Sequence, residues 1–152
     1  MAHRSFARIT RFVLAGLVAQ SLWAFTPFQA IAEPGLQLVD GTTLQENGRQ
    51  RWWQMKRSKK MHSATEVQEY LRQLNQGKYA DWRLPTKWEM REFFTLFDLK
   101  RNGDIVLALD GSYWMMGENG TMLAGSWDSG DQCGVERNFF PAASGYVRAI
   151  RP

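Results

Sequence analysis

Residues 79–98 read YADWRLPTKWEMREFFTLFD, and they describe an extended segment running into a helix. Leu84 precedes Pro85, and clash with the proline ring pushes that position toward extended geometry. Thr86 stands where a helix N-cap belongs. Glu89 follows three residues later, so each side chain can satisfy a backbone N–H left open at the helix start. Met90, Phe93, Phe94 and Phe97 recur at i, i+3, i+4 and i+7, which makes one apolar helical face. Trp82 and Trp88 are expected to join them in the core, because large aromatics dominate buried area. Asp81 and Arg83 are expected to pair with each other or with backbone.

Upstream, Ser63 to Gly77 reads as a first helix. Ser63 and Glu66 form a second capping box, Val67, Tyr70, Leu71 and Leu74 make the apolar face, and Asn75 and Gly77 are stop residues. Gly35 to Gln54 reads as short strands separated by turns at Asp40-Gly41 and Asn47-Gly48. Trp52 and Trp53 are adjacent, so in a strand they face opposite ways. Downstream, Asn102-Gly103 marks a turn and Ile105–Leu109 a short apolar strand. Asn119-Gly120 predicts a type I′ hairpin pairing Tyr113–Met116 with Thr121–Gly125.

The run DWRLPT followed by a Glu-bearing helix resembles the signature of the Lcl C-terminal domain family, a bacterial and mostly exported domain. Thr43, Leu44, Trp52 and Trp53 resemble that family's opening strand, Tyr113-Trp114 its mid-domain pair, and YVRAIR at 146–151 its closing strand. The resemblance covers about Leu38 to Arg151. It implies an α+β, C-type-lectin-like fold, with two helices packed on short antiparallel strands and long loops. It also implies an association with sulfated glycans. Gly125-Ser126-Trp127, Cys133-Gly134, Arg137 and Gly145-Tyr146-Val147-Arg148 are similar to the closing part of formylglycine-generating-enzyme-type domains. Those share the fold, but their oxidases need two active-site cysteines and their iron-dependent relatives several histidines. Here Cys133 is the one cysteine, and His62 the one histidine beyond the first few residues.

The N-terminus has the three parts of an export signal: Arg4, Arg8 and Arg11, an apolar run from Phe12 to Phe25, and the A-x-A site Ala30-Ile31-Ala32. Residues 1–32 are therefore expected to be removed, leaving one domain, 33–152, in the periplasm or outside the cell. The apolar run is shorter than the ~20 residues a membrane span needs, so no stable span is expected after cleavage. The whole chain carries 19 basic and 15 acidic residues, a net charge of +4. Without the three arginines of the signal the balance is 16 to 15. Net charge therefore does not point to a nucleic-acid partner, and none is expected.

One charge anomaly remains. Arg49 to Lys60, RQRWWQMKRSKK, has six basic residues and no acid. It reads either as a solvated loop or as a polyanion site. In the second reading Arg49, Arg51, Lys56, Arg57, Lys59 and Lys60, with Trp53 exposed among them, would hold a sulfated or phosphorylated polyanion. A second candidate region is the loop carrying Trp127, Asp128 and Asp131. Its two carboxylates are hard ligands that could hold Ca²⁺. The calcium motifs of sugar-binding lectins are absent, and no other cofactor is expected. No phosphate-cradling glycine loop occurs, and a single histidine does not build a triad with a nucleophile. The expected function is an exported non-catalytic binding module for a glycan or other polyanion. The alternatives are an assembly subunit docking an envelope protein through exposed aromatics such as Trp53 or Trp114, and a divergent enzyme.

Overall fold

The structure is a computed structural model, described here over residues 35–97, 101–127 and 138–152. In chain order the elements are β1 (Leu36–Leu38), β2 (Thr43–Glu46), β3 (Trp52–Gln54), α1 (Ala64–Leu74) and α2 (Lys87–Thr95). Then come β4 (Arg101–Asn102), β5 (Ile105–Val106), β6 (Tyr113–Met116), β7 (Met122–Trp127), β8 (Phe139–Ala142) and β9 (Ile150–Arg151). The strands make a four-stranded sheet ordered β1-β2-β3-β9, a three-stranded sheet ordered β6-β7-β8 and the small β4-β5 ribbon. All strand pairs are antiparallel. Two helices with antiparallel sheets make an α+β fold.

The DWRLPT segment joins the two larger sheets. Arg83 exchanges both backbone hydrogen bonds with Ile150 of β9, each at 2.9 Å. Two residues on, the Pro85 carbonyl accepts from the Met116 N–H of β6 at 2.8 Å. Leu84 and Pro85 are buried between these contacts. Asn75, the C-cap of α1, clamps the segment from the other side: its side chain donates to the Trp82 carbonyl and accepts from the Trp82 N–H.

Two apolar clusters form the core, and the extended segments between them bury both faces. In β6, Tyr113 and Met115 enter one cluster with Trp53, Met90, Phe93 and Ile150, while Trp114 enters the other with Val67, Trp82 and Leu84. The closing segment alternates in the same way. Val147 and Ala149 pack with Trp114, whereas Ile150 lies with Phe93. Alternate side chains on an extended backbone point to opposite sides, so both stretches read as nearly continuous apolar runs. Gly125 permits one close approach here. A Cβ at that position would lie 2.2 Å from the Phe139 ring, which packs on Trp127 at a centroid distance of 5.1 Å.

The helix starts follow their capping residues. Thr86 and Glu89 make a reciprocal capping box on α2. Ser63 caps α1 by accepting from the Glu66 N–H, but the Glu66 carboxylate accepts from His62 N–H rather than Ser63 N–H, one residue earlier than expected. Three further expectations are corrected. Asp81 and Arg83 do not pair with each other: Asp81 accepts from Arg151 and Arg83 grips Glu89 with both Nη atoms, while the expected backbone contact is present where Arg83 Nη1 donates to the Leu84 carbonyl. The apolar run 105–109 is a strand only at Ile105–Val106, because its partner is the two-residue β4. The Asn119-Gly120 hairpin closes a three-residue loop, with Gly120 N–H donating to Gly117 and Gly117 N–H to Thr121. Its Gly120 takes the left-handed conformation, φ +76°, as in hairpins that follow a turn with a bulge.

Glu89 predicts a pH dependence. Burial alone would raise its pKa, but the Arg83 guanidinium and the Thr86 backbone N–H outweigh burial and hold it at about 2. A depressed carboxylate contributes stability that is present above its unfolded value, near 4.5, and is lost as pH falls toward the folded value. Glu89→Gln retains the cap but loses the ion pair. It is expected to lower stability by about 1–2 kcal/mol at pH 7, the shift being discounted because Arg83 is half exposed. Denaturant midpoints of the two proteins should converge as pH approaches 2, and parallel curves from pH 7 to 2.5 would refute this account.

Candidate functional site

The basic segment 49–60 does not form one cationic surface. Arg51 donates from Nε and Nη2 to the Glu46 carboxylate at 2.9 and 2.7 Å, and from Nη1 to Glu92 at 2.9 Å. Arg49 donates to the same Glu92 oxygen at 2.8 Å. Burial opposes the charge on Arg51, but the two carboxylates outweigh it and raise its pKa. Arg57 lies 3.8 Å from the Tyr146 ring centroid, donates to the Asp110 carbonyl and Tyr113 hydroxyl, and pairs with the Asp110 carboxylate. Lys56, Lys59 and Lys60 are exposed, with no ion pair among the described residues. Folding brings acids from β2 and α2 onto arginines that look unopposed in the sequence.

Trp53 is corrected from an exposed ligand contact to a core residue. It is fully buried, its ring centroid lies 4.3 Å from that of Phe93, and its Nε1 donates to Glu46 at 3.3 Å. Trp52 takes the outer face of β3, with the Arg151 guanidinium 4.5 Å from its ring centroid. Trp114 is also buried and donates to the Met61 carbonyl, so neither Trp53 nor Trp114 is an exposed docking aromatic. In the second candidate region Trp127 packs edge-on against Phe94 and Phe139. Asp128, Asp131, Cys133 and Glu136 lie outside the described residues, as does the signal at 1–32. Among the described residues, no group of three or more His, Cys, Asp or Glu side chains is placed to hold a metal. No helix among them is long and apolar enough to cross a membrane.

The most exposed aromatic among the described residues is instead Trp88. It was expected in the core, yet it is 61 % exposed. The Thr86 cap fixes where α2 starts, and Met90 and Phe93 then set which face turns inward. Trp88 falls outside that face. Its i+3 and i+4 neighbours are Arg91 and Glu92, a polar stripe that was readable in the sequence. Trp88 borders a shallow depression of about 330 Å³, walled by Thr86, Lys87 and Arg91 from the start of α2. Its other walls are Met116 and Glu118 at the β6–β7 hairpin and Trp127 of β7.

The electrostatics of this depression are distinctive. The Arg91 guanidinium lies 5.8 Å from the Trp88 ring centroid, and none of its N–H groups has an acceptor among the described residues. Its Nε is buried, also without a partner among the described residues. Lys87 sits 4.3 Å from the Phe139 ring centroid and, like Arg91, forms no ion pair among the described residues. Glu118 is exposed on the hairpin side. An aromatic face beside cations can stack a ring and hold an anionic group. No family model, curated protein or solved structure matches this chain.

Proposed function

We propose that this chain is an exported, non-catalytic binding module of C-type-lectin-like architecture. Its ligand is a glycan or other anionic component of the envelope or its surroundings, and its contact surface is the Trp88 depression. The observation that carries this reading is an exposed tryptophan flanked by Lys87 and Arg91 with no acidic partner for either among the described residues. The α+β arrangement of two helices and antiparallel sheets supports the lectin-like architecture. The resemblance of DWRLPT and the closing strand to Lcl-type domains supports it further.

The test is retention of the full chain, as expressed and processed, on immobilised heparin and on a glycan array over a salt series. Trp88→Ala is expected to weaken binding about tenfold or more, as truncating a central aromatic anchor does. Its melting temperature should stay within about 2 °C, since exposed substitutions change stability little. Neutralising Lys56, Lys59 and Lys60 together should leave the specific binding in place. The opposite pattern, with the triple variant silent and Trp88→Ala unaffected, would return the site to the basic segment.

A second reading has its own observation. Phe140 is half exposed on β8, which among the described residues pairs with β7 alone. Together with Trp88 it would serve an assembly subunit that docks an envelope protein. A partner captured from envelope extract by the parent chain, and lost with Phe140→Ser but not with Lys87→Gln/Arg91→Gln, would favour it.

A further inference from the structure

We infer that the Trp88 depression selects a saccharide carrying an isolated carboxylate, of the uronic-acid type, over a densely sulfated chain. The inference rests on the glycan-binding reading above and specifies its ligand. Three observations point to it. First, Arg91 has no ion pair or hydrogen-bond acceptor among the described residues and lies beside the exposed indole of Trp88. A guanidinium presents a planar fork of donors that matches a carboxylate bidentately. Second, the depression, about 330 Å³, lies at the small end of ligand pockets, which span roughly 300–1,000 Å³. That size suits a single sugar ring seated in the depression. Third, the charges in its wall are mixed. Lys87 and Arg91 lie on the helix side and Glu118 on the hairpin side.

Glu118 is the discriminating group. A carboxylate accepts hydrogen bonds from sugar hydroxyls, so it suits the uncharged edge of a ring whose acid group lies toward Arg91. Sulfate groups distributed around the ring would place negative charge against Glu118, and like charges brought together at an interface oppose binding. A site built for a polysulfated ligand would carry cations on both sides. Arg91 is thus the anchor and Glu118 the group that rejects excess charge.

Titration calorimetry on the full chain tests this with three tetrasaccharide probes at one ionic strength. The first alternates unsulfated uronic acid with N-acetylhexosamine. The second is the same compound with its carboxyls reduced to alcohols. The third is a heparin tetrasaccharide. The first is expected to bind at least tenfold more tightly than the second. Arg91→Gln should remove that difference, and Glu118→Gln should raise affinity for the heparin probe severalfold. Equal binding of the first two probes that still depends on Trp88 would overturn the carboxylate inference and leave glycan recognition standing. Tighter binding of the heparin probe than of the uronate by the parent chain would also overturn it. No heat with any probe, from a folded protein, would overturn both this inference and the glycan reading beneath it.

Discussion

Glu46→Ala is expected to lower the melting temperature by roughly 10 °C. The Glu46 side chain is only 4 % exposed, and its carboxylate accepts from Arg51 twice and from the Trp53 indole once. The Arg49 guanidinium stands 3.5 Å away. Removing the acid strands a largely buried guanidinium and a buried indole N–H in the main core. Breaking a buried pair by deleting one partner costs about 3–5 kcal/mol. Glu92 still holds one Arg51 nitrogen, so the loss belongs at the lower end, about 3 kcal/mol. For a domain of this size each kcal/mol moves the melting temperature by roughly 3–5 °C. The double variant Glu46→Leu/Arg51→Met should recover part of the loss, because an apolar pair of similar volume avoids the desolvation penalty. Thermal unfolding of the three proteins decides the matter. A fall below about 3 °C in Glu46→Ala would show that Glu92 alone satisfies Arg51.

Arg148→Met should be destabilised by about 2–4 kcal/mol. Arg148 is 1 % exposed, and among the described residues it has no carboxylate partner. Burial pushes its pKa below the usual arginine value, with the Tyr113 hydroxyl opposing that shift. Two effects compete on substitution. Methionine removes the desolvation penalty of a buried charge. It also leaves the carbonyls of Gln54, Met55 and Ala108 without the donors that now bridge them. Ala108 keeps the Tyr113 hydroxyl as a donor, but the other two lose this one. An unsatisfied buried acceptor costs about 1–3 kcal/mol. Two of these exceed the relief, since a guanidinium is less strongly hydrated than an ammonium. Arg148→Lys should be destabilised as well, because a single ammonium does not reproduce a fork that spans the end of β3 and the segment before β6. Chemical denaturation of both variants tests the claim. A methionine variant as stable as the parent would mean that the buried charge, rather than the donor fork, dominates the site.

The candidate site was legible only in part. The Thr86 cap and the spacing of Met90 and Phe93 were enough to locate α2 and its buried face. The same spacing puts Trp88 on the polar side, whereas its size and apolar character favour burial; the helix face decides, and the ring is exposed. Trp53 is the reverse case, a tryptophan in a basic run that is fully buried. The surrounding basic residues suggested a wet loop, yet β3 pairs with β2 on one side and β9 on the other. That central place in the sheet turns one of the two tryptophans into the core. The basic run itself was a fact of composition, and it carried no information about Glu92, 41 residues beyond Arg51.

From its sequence alone, this protein has two helix starts, several tight turns and alternating strands, because capping boxes, left-handed glycines and period-two patterns act within a few residues. Which charges remain free was decided by tertiary structure. Ion pairing depends on which distant segments meet: Glu46 and Glu92 close over Arg49 and Arg51, and Asp110 reaches Arg57. Exposure of Trp88 was likewise settled by packing, since Phe93 and Met90 claimed the inner face of α2. The meeting of Arg91 of α2 with Glu118 and Trp127 of the β6–β7 hairpin around one depression joins two segments that nothing local connects.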